Sequence, residues 1–177
     1  MCGDNELSAL PPLGASLRRI ECEGNAIQAL PLSLEQLDCG ANQLTALPET
    51  LPPKLHKLVC RINNLTELPQ LPPDLTVLDC EHQILRALRF LPKLPPRLEY
   101  LYCSHTGLQV LHHELPETLT HLFCTGNGMF SMPRLPLTLK QLECDAKALD
   151  ATNDFSLLTS LESFRVQSAA EEMVTLR

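Results

Sequence analysis

A phrase of about twenty residues recurs along nearly the whole chain, and each copy is centred on a cysteine. From Cys22 onward a leucine or isoleucine stands two residues before the cysteine, and further leucines recur at fixed positions on both sides of it. One copy cannot bury its own apolar side chains, so copies have to stack and share a core. The cysteines that carry the phrase are Cys2, Cys22, Cys39, Cys60, Cys80, Cys103, Cys124 and Cys144.

The residues around each cysteine predict a short strand followed by an extended return. Apolar and polar residues alternate up to the cysteine, which is typical of a half-buried strand. An asparagine often follows three residues later and is suited to hydrogen-bonding the backbone in an interior ladder, as at Asn5, Asn25, Asn42, Asn63 and Asn127. Leucine-proline pairs come next, and proline disfavours helix both at its own position and before it.

The last part of the chain departs from this pattern. Leu161, Phe164 and Val166 fit an eighth strand with valine in the cysteine position. We expect a helical turn capped by Asn153 or Asp154, with Phe155, Leu158 and Leu161 facing the core, and a short covering helix over 168–177. The predicted organisation is seven cysteine-type repeats over 1–152, the first of them partial, and a valine-type repeat with a C-terminal cap over 153–177.

The phrase closely resembles the short LPX subclass of bacterial leucine-rich repeats. The segments "LEQLDCGANQLTALPETLPP" and "LTVLDCEHQILRALRFLPKLPP" carry the likeness. That subclass is found in YopM-like and IpaH-type effectors, which Gram-negative pathogens inject into host cells. The resemblance implies a curved leucine-rich-repeat solenoid. About eight short parallel strands would form its concave face, proline-rich returns its convex face, and helix would be confined to the C-terminal region.

The function implied by the resemblance is recognition of a host protein by a secreted effector in the reducing host cytosol. Two alternatives stay open: the recognition domain of a larger ubiquitin ligase whose catalytic domain is absent here, and a self-associating scaffold. Cys2 and Asp4 match the Cys-x-Asp motif of the ligases, but the repeat register makes Cys2 a core residue. We therefore expect a non-catalytic protein, monomeric or weakly self-associating.

The candidate binding residues lie next to the cysteines, on the concave face. The position before the cysteine is mostly acidic and becomes aromatic in the middle repeats. Aromatic anchors with a charged rim are typical of protein-binding hot spots, and exposed strand rings would lack a packing partner in the monomer. The alternative is that Tyr102 and Phe123 stack on each other and stiffen the sheet. The predicted site comprises Tyr100, Tyr102, His105, His121, Phe123, Asp79, Glu143, Asp38 and Glu21.

Composition argues against several other functions. A formal net charge of −7 disfavours a nucleic-acid surface, and no apolar run is long enough for a membrane span. Without a secretory signal the cysteines are expected to be thiols rather than disulfides. The histidines, including His105, His121, His112 and His113, follow no zinc-ligand spacing. We therefore expect no metal and no cofactor.

Overall fold

The computed structural model describes residues 16–21, 32–111, 114–149, 155–168 and 173–176 of the chain. Across these residues, nine strands form one sheet whose order is the order of the sequence. The first eight strands are parallel, and the ninth is antiparallel to the eighth. Their bounds are β1 Arg19–Glu21, β2 Gln36–Asp38, β3 Lys57–Val59, β4 Val77–Asp79, β5 Tyr100–Tyr102, β6 His121–Phe123, β7 Gln141–Asp145, β8 Ser163–Gln167 and β9 Met173–Leu176.

One apolar residue of each parallel strand points inward and pairs in register with its counterpart on the next strand. Since side chains alternate along a strand, the residues on either side of it face away from the core. The identical register from strand to strand follows from the repeated phrase, because a slip by one residue would expose every leucine. The paired residues are Ile20, Leu37, Leu58, Leu78, Leu101, Leu122, Leu142 and Phe164.

The returns between strands are extended and end in a tight turn. In that turn a leucine amide donates to the carbonyl of the proline three residues earlier, at 2.9–3.1 Å. Proline has no amide to satisfy and a restricted backbone, which suits it to a return without helix. The pairs are Leu55 with Pro52, Leu75 with Pro72, Leu98 with Pro95, Leu119 with Pro116 and Leu139 with Pro136.

The core is a column of leucines and cysteines that runs the length of the stack. Leu55, Leu75 and Leu98 are fully buried in this core. The strand leucines of the same repeats, Leu58, Leu78 and Leu101, are fully buried in it as well. Six cysteines are free thiols and fully buried within this column: Cys39, Cys60, Cys80, Cys103, Cys124 and Cys144. Cys2 and Cys22 lie outside the described residues.

The C-terminal region confirms one part of its prediction and corrects another. Val166 pairs with Cys144, as the repeat frame predicts. Leu158 is buried, and Phe155 and Leu161 pack against the core, although the segment forms turns rather than a helix. The helix predicted over 168–177 is wrong at Met173–Leu176, which is a strand paired with β8.

The reason for that strand is the free edge of β8. A strand at the end of a parallel stack presents unpaired amides and carbonyls, and an antiparallel strand satisfies them where a helix would not. The predicted capping residues Asn153 and Asp154 lie outside the described residues. In the part that is described, the one helical element is a single 3₁₀ turn at Ala146–Ala148, and no helix there has the length and apolarity to cross a membrane.

Candidate functional site

Two columns of side chains cover the open face of the sheet, which is the side away from the core. They are the first and third residues of each strand triplet, and the register aligns them across the sheet. The third-residue column runs from acidic to aromatic and back to charged, as predicted. Its members are Glu21, Asp38, Val59, Asp79, Tyr102, Phe123, Glu143 and Arg165.

Four aromatic rings meet at the centre of this face. Tyr100 stacks on His121 with ring centroids 4.5 Å apart and planes 20° apart. Tyr102 stacks on Phe123 at 4.8 Å and 9°. The rings come together because β5 and β6 are neighbours and about 4.8 Å is the spacing of paired strands. We call Tyr100, Tyr102, His121 and Phe123 the four-ring patch.

The stacking corrects one premise of the sequence analysis. The sequence analysis expects exposed rings with no packing partner in the monomer, yet each ring of the four-ring patch has one. Tyr102 and Phe123 stack on each other, as the alternative given there predicts. All four side chains remain partly exposed, so each stacked pair still presents some aromatic surface to solvent. His121 is held further because its Nδ1 lies 2.8 Å from Thr120 Oγ1. The patch is therefore ordered before any partner arrives.

A desolvated carboxylate borders the four-ring patch on one side. Asp79 pairs in register with Tyr102 and accepts a hydrogen bond from the Glu81 amide at 3.3 Å. Partial burial raises the pKa of Asp79 to about 6, with smaller contributions from the negative charges of Glu81 and Asp38 and opposition from Arg61. Burial also raises the pKa of Tyr102, and Asp79 adds to that shift. The phenol next to Asp79 therefore stays neutral at physiological pH.

The other predicted acids already interact with neighbours in the chain. Glu143 accepts a hydrogen bond from Arg165 at 3.1 Å, and Glu21 pairs with Arg19. Asp38 accepts a hydrogen bond from the Gly40 amide at 3.1 Å. Asp79 likewise accepts a backbone hydrogen bond, and Asp79 and Glu81 are the acids whose negative charge acts on Tyr102.

We predict that replacing Asp79 with asparagine stabilises the protein at neutral pH. Its raised pKa means that the folded protein binds more protons than the unfolded chain between about pH 4 and pH 6, so stability falls as pH rises through that window. Since the side chain is only partly buried, we expect D79N to gain about 1 kcal/mol at pH 7.5 and nothing below pH 4. Urea denaturation at the two pH values measures the difference, and equal gains at both would contradict the assignment.

His105 has a ring partner outside the four-ring patch. Its ring stacks on His82, with centroids 4.7 Å apart and planes 19° apart. Both residues sit two positions after a buried cysteine, where the chain turns away from the strand. The sequence places His105 close to Tyr102, but the structure gives its ring another partner in the turn region.

The turns after the strands share a left-handed backbone that sequence analysis missed. Positive φ angles recur two positions after the cysteine, from 49° at Ala41 to 68° at Gly126, and most of these residues are not glycine. Such angles strain residues with a β-carbon, and Ile62 more than most. Gly126 is the single glycine in the described part of this column, and the sequence also has glycine at the same position of an earlier repeat, Gly24. The column is Ala41, Ile62, His82, His105 and Gly126.

Below these turns runs the predicted interior ladder of polar side chains. Asn63 is fully buried, and its Nδ2 donates to the carbonyls of Cys39 and Cys60 at 3.0 Å while its Oδ1 accepts from the Leu44 amide. Gln83, which breaks the asparagine pattern, makes the equivalent bonds through a longer side chain. Thr106 donates to the carbonyl of Cys103. The ladder therefore tolerates substitutions that keep a hydrogen-bonding group at the right depth.

Asp145 closes the ladder at β7, and sequence analysis did not single it out. It is buried, and its two carboxylate oxygens accept hydrogen bonds from the amides of Gly126 and Asn127 at 2.9 and 3.0 Å. In earlier repeats the corresponding amides donate to carbonyls of the next repeat, as Ala41 does to Arg61. The carboxylate replaces a carbonyl where β7 continues straight through the position of the turn.

The buried cysteines are poorly suited to chemistry. Burial raises the pKa of Cys60, Cys103 and Cys124 well above the usual value, and that of Cys144 to about 12. Only the thiolate is a strong nucleophile or metal ligand, so these thiols are inert in the folded state. Among the described residues, no group of three or more histidine, cysteine or acidic side chains is arranged to hold a metal. Cys2, His112 and His113 lie outside the described part.

We predict that the native thiols react slowly with an aromatic disulfide reagent. The six described cysteines have no access to solvent, so their modification requires local or global opening. After denaturation all eight cysteines of the chain should titrate. Absorbance of the released thiolate follows both reactions. Four disulfide bridges, detected as no released thiolate without reductant, would contradict this prediction.

Comparison with solved structures places this architecture among known proteins. YopM from Yersinia enterocolitica WA-314 matches with a TM-score of 0.83 and 35% sequence identity, over 93% of this chain and 36% of YopM. The chain is a leucine-rich-repeat solenoid that resembles the bacterial effector YopM. The predicted fold class is thereby confirmed, with eight parallel strands and almost no helix among the described residues.

Two further structures extend the likeness of the leucine-rich-repeat solenoid. The functional domain of InlJ from Listeria monocytogenes, described as including a cysteine ladder, matches with a TM-score of 0.56 and 25% identity, over 85% of this chain and 39% of that one. A Shigella effector leucine-rich-repeat domain shares the fold, with a TM-score of 0.67 and 23% identity over 96% of this chain and 80% of that domain. No family model and no curated protein matches the chain. The solenoid spans little more than a third of YopM or InlJ.

Proposed function

We propose that the chain is a non-catalytic binding module that recognises a host protein on the open face of its sheet. The observation that carries the proposal is the four-ring patch, in which Tyr102 and Phe123 stack at 4.8 Å and stay partly exposed. Similarity to YopM over most of the chain supports an effector role. In this role the protein is delivered to the host cytosol by a specialised secretion system.

Preordered rings favour binding for an energetic reason. Association costs free energy because interface side chains lose rotamer freedom, about 0.5–1.5 kcal/mol for each flexible side chain that becomes fixed. Stacking has already restricted Tyr100, Tyr102, His121 and Phe123, so much less of that cost remains. Tyrosine is also among the residues most enriched in binding hot spots. The patch is therefore suited to anchor a partner, with the remaining strands providing a complementary rim.

The charge beside the rings indicates the chemistry of the partner. Asp79 is desolvated and next to Glu81, and both border Tyr102. A lysine or arginine of the partner would relieve the repulsion between these carboxylates and could also lie over an aromatic face. We therefore propose that the partner presents a basic group to the Asp79 side of the four-ring patch.

The buried cysteines fit the proposed location. Free thiols are typical of proteins in a reducing compartment, and the six described ones are sealed in the core. A protein of this kind functions in the host cytosol without forming disulfides.

The test is capture of partners from host-cell lysate followed by footprinting of the complex. We expect hydroxyl-radical labelling of Tyr100, Tyr102 and Phe123 to fall in the complex, while labelling of the exposed Phe90 on the return side stays unchanged. Gel filtration at increasing concentration checks for self-association. Protection of Phe90 with continued labelling of the rings would contradict the proposed face, and protection of the rings by a second copy alone would favour the scaffold alternative.

A further inference from the structure

A second surface feature runs along the turns that follow the strands. Two adjoining depressions, of about 490 and 460 Å³, share Arg86 as a common wall. The first holds the stacked His82 and His105, and the second continues across the next two turns. We call the combined feature the turn-side groove, and its principal residues are Ile62, Ile84, His82, His105, Arg86 and Phe130.

Three glycines line the second depression, Gly107, Gly126 and Gly128, and two of them have a left-handed backbone. Gly107 has a φ of +95°, and a β-carbon there would lie 1.9 Å from the Arg86 carbonyl oxygen. Gly126 has a φ of +68°, and its β-carbon would lie 2.1 Å from Nδ1 of His105. Side chains are therefore excluded at both positions, because the Arg86 backbone and the His105 ring pack directly against the two glycines.

Both ends of the groove expose large apolar side chains. Ile62 and Ile84 are 42% and 60% exposed at one end, and Phe130 is 78% exposed at the other. Lys147 places its Nζ 5.8 Å from the Phe130 ring centroid and so fixes one side of that ring. Single exposed apolar residues are ordinary, but several that line one depression are typical of a binding surface.

Arg86 lies at the centre of the groove and is the one Lys, Arg, Asp or Glu side chain among the described residues that line the two depressions. His105 is flanked by His82 and Arg86, and after burial these two neighbours are the largest influences that lower its pKa. Glu81 and Asp145 act in the opposite direction and more weakly. Asp145 is already bonded to the amides of Gly126 and Asn127. A carboxylate of a ligand lying in the groove would therefore meet one cationic partner, the Arg86 guanidinium.

The length of the groove sets the size of its ligand. It runs from the turn after β3, at Ile62, to the turn after β6, at Gly126, so it spans three strand spacings or about 14 Å. An extended peptide rises about 3.3 Å per residue and points alternate side chains to the same side. In a peptide of five residues, the third side chain would therefore lie at the centre of the groove. The first and fifth side chains would lie at its two ends.

We propose that the turn-side groove binds an extended acidic segment of a partner protein. A carboxylate at the middle of the segment meets Arg86 and the His82–His105 pair. Apolar side chains two residues to either side contact Ile62 and Ile84 at one end and Phe130 at the other. This site is separate from the four-ring patch, so it does not depend on the function proposed above.

The test uses a capped pentapeptide with leucine, glutamate and phenylalanine at its first, third and fifth positions and glycine between them. Isotope-labelled protein is titrated with this peptide and followed by backbone amide chemical shifts. We expect the shifts to concentrate at Arg86, His105, Gly107 and Gly126, with Tyr102 and Phe123 unaffected. The same peptide with glutamine in place of glutamate should bind about fivefold more weakly, because it lacks the charge-assisted hydrogen bond.

Variants of the protein test each part of the groove against a matched control. R86Q and F130A should each weaken binding of the glutamate peptide about three- to fivefold. R134Q and F90A, which change exposed residues outside the groove, should leave it within about twofold. Equal binding of the two peptides, or shifts centred on Tyr102 and Phe123, would overturn the proposal. So would inorganic phosphate alone producing the same shifts at Gly107 and Gly126, because the site would then be a simple anion site.

Discussion

The double variant Y102A/F123A is expected to lose capture of host partners while its melting temperature stays within a few degrees of the original. The two rings form the more nearly parallel stack of the four-ring patch and are partly exposed, so their truncation removes contact area that a partner would cover. Truncating a hot-spot aromatic residue costs about 2 kcal/mol or more of binding free energy. With two such residues truncated, we expect the affinity to be too weak for a pull-down to detect.

The small thermal effect follows from where the rings lie. An aromatic pair contributes about 0.5–1.5 kcal/mol beyond its area, and a loss of about 1 kcal/mol shifts the melting temperature of a chain of this size by about 2–4 °C. F90A provides the control, because Phe90 is exposed on the return side of the repeats. Capture that survives in the double variant would show that the partner binds elsewhere.

Replacing Asn127 with alanine is expected to cost about 4 kcal/mol of the free energy of unfolding, because several buried groups lose their partner at once. Asn127 is buried, and its Oδ1 accepts from the amides of Thr106, Gly107 and Leu108 at 3.0–3.1 Å. Its Nδ2 donates to the carbonyls of Cys103 and Cys124, both at 2.9 Å. Alanine offers neither donor nor acceptor, and water has no access to replace them.

Urea denaturation followed by circular dichroism measures this loss. The matched control is Q43A, which removes the side-chain amide of an exposed glutamine in the turn of an earlier repeat and should change stability by less than about 0.5 kcal/mol. Equal, small effects of both variants would mean that the turns relax and satisfy the backbone groups around Asn127 in another way.

The repeat period carries most of what the sequence predicts about the fold. Leucine and cysteine positions recur with a spacing that admits one strand and one extended return, and the neighbours of each strand then follow from its order in the chain. The placement of Val166 opposite Cys144 and the burial of Asn63 follow from the same register. The alternation within each strand and the stacking of repeats favour the same sheet order and register, so the sequence alone predicts both.

Features outside the period escaped the sequence analysis. Ile62 and His82 adopt left-handed backbone that their residue types disfavour, because the repeat geometry imposes the turn. Asp145 takes over a carbonyl's role only because β7 runs straight on. Met173–Leu176 forms a strand because it pairs with the free edge of β8, and the local sequence pattern does not reveal that edge. The stacking of Tyr102 on Phe123 is one of two alternatives that the repeat register leaves open, and the ring geometry of the structure decides between them.

The order of the sheet has a mechanical consequence. Each parallel strand bonds only to the strands before and after it in the chain, so tension applied at one terminus loads the hydrogen bonds and leucine contacts of a single repeat. Unravelling can then proceed one repeat at a time, with a modest barrier at each step and no need to break the whole core together. A chain built in this way can therefore unwind and rewind from its ends without the whole core being broken or formed at once.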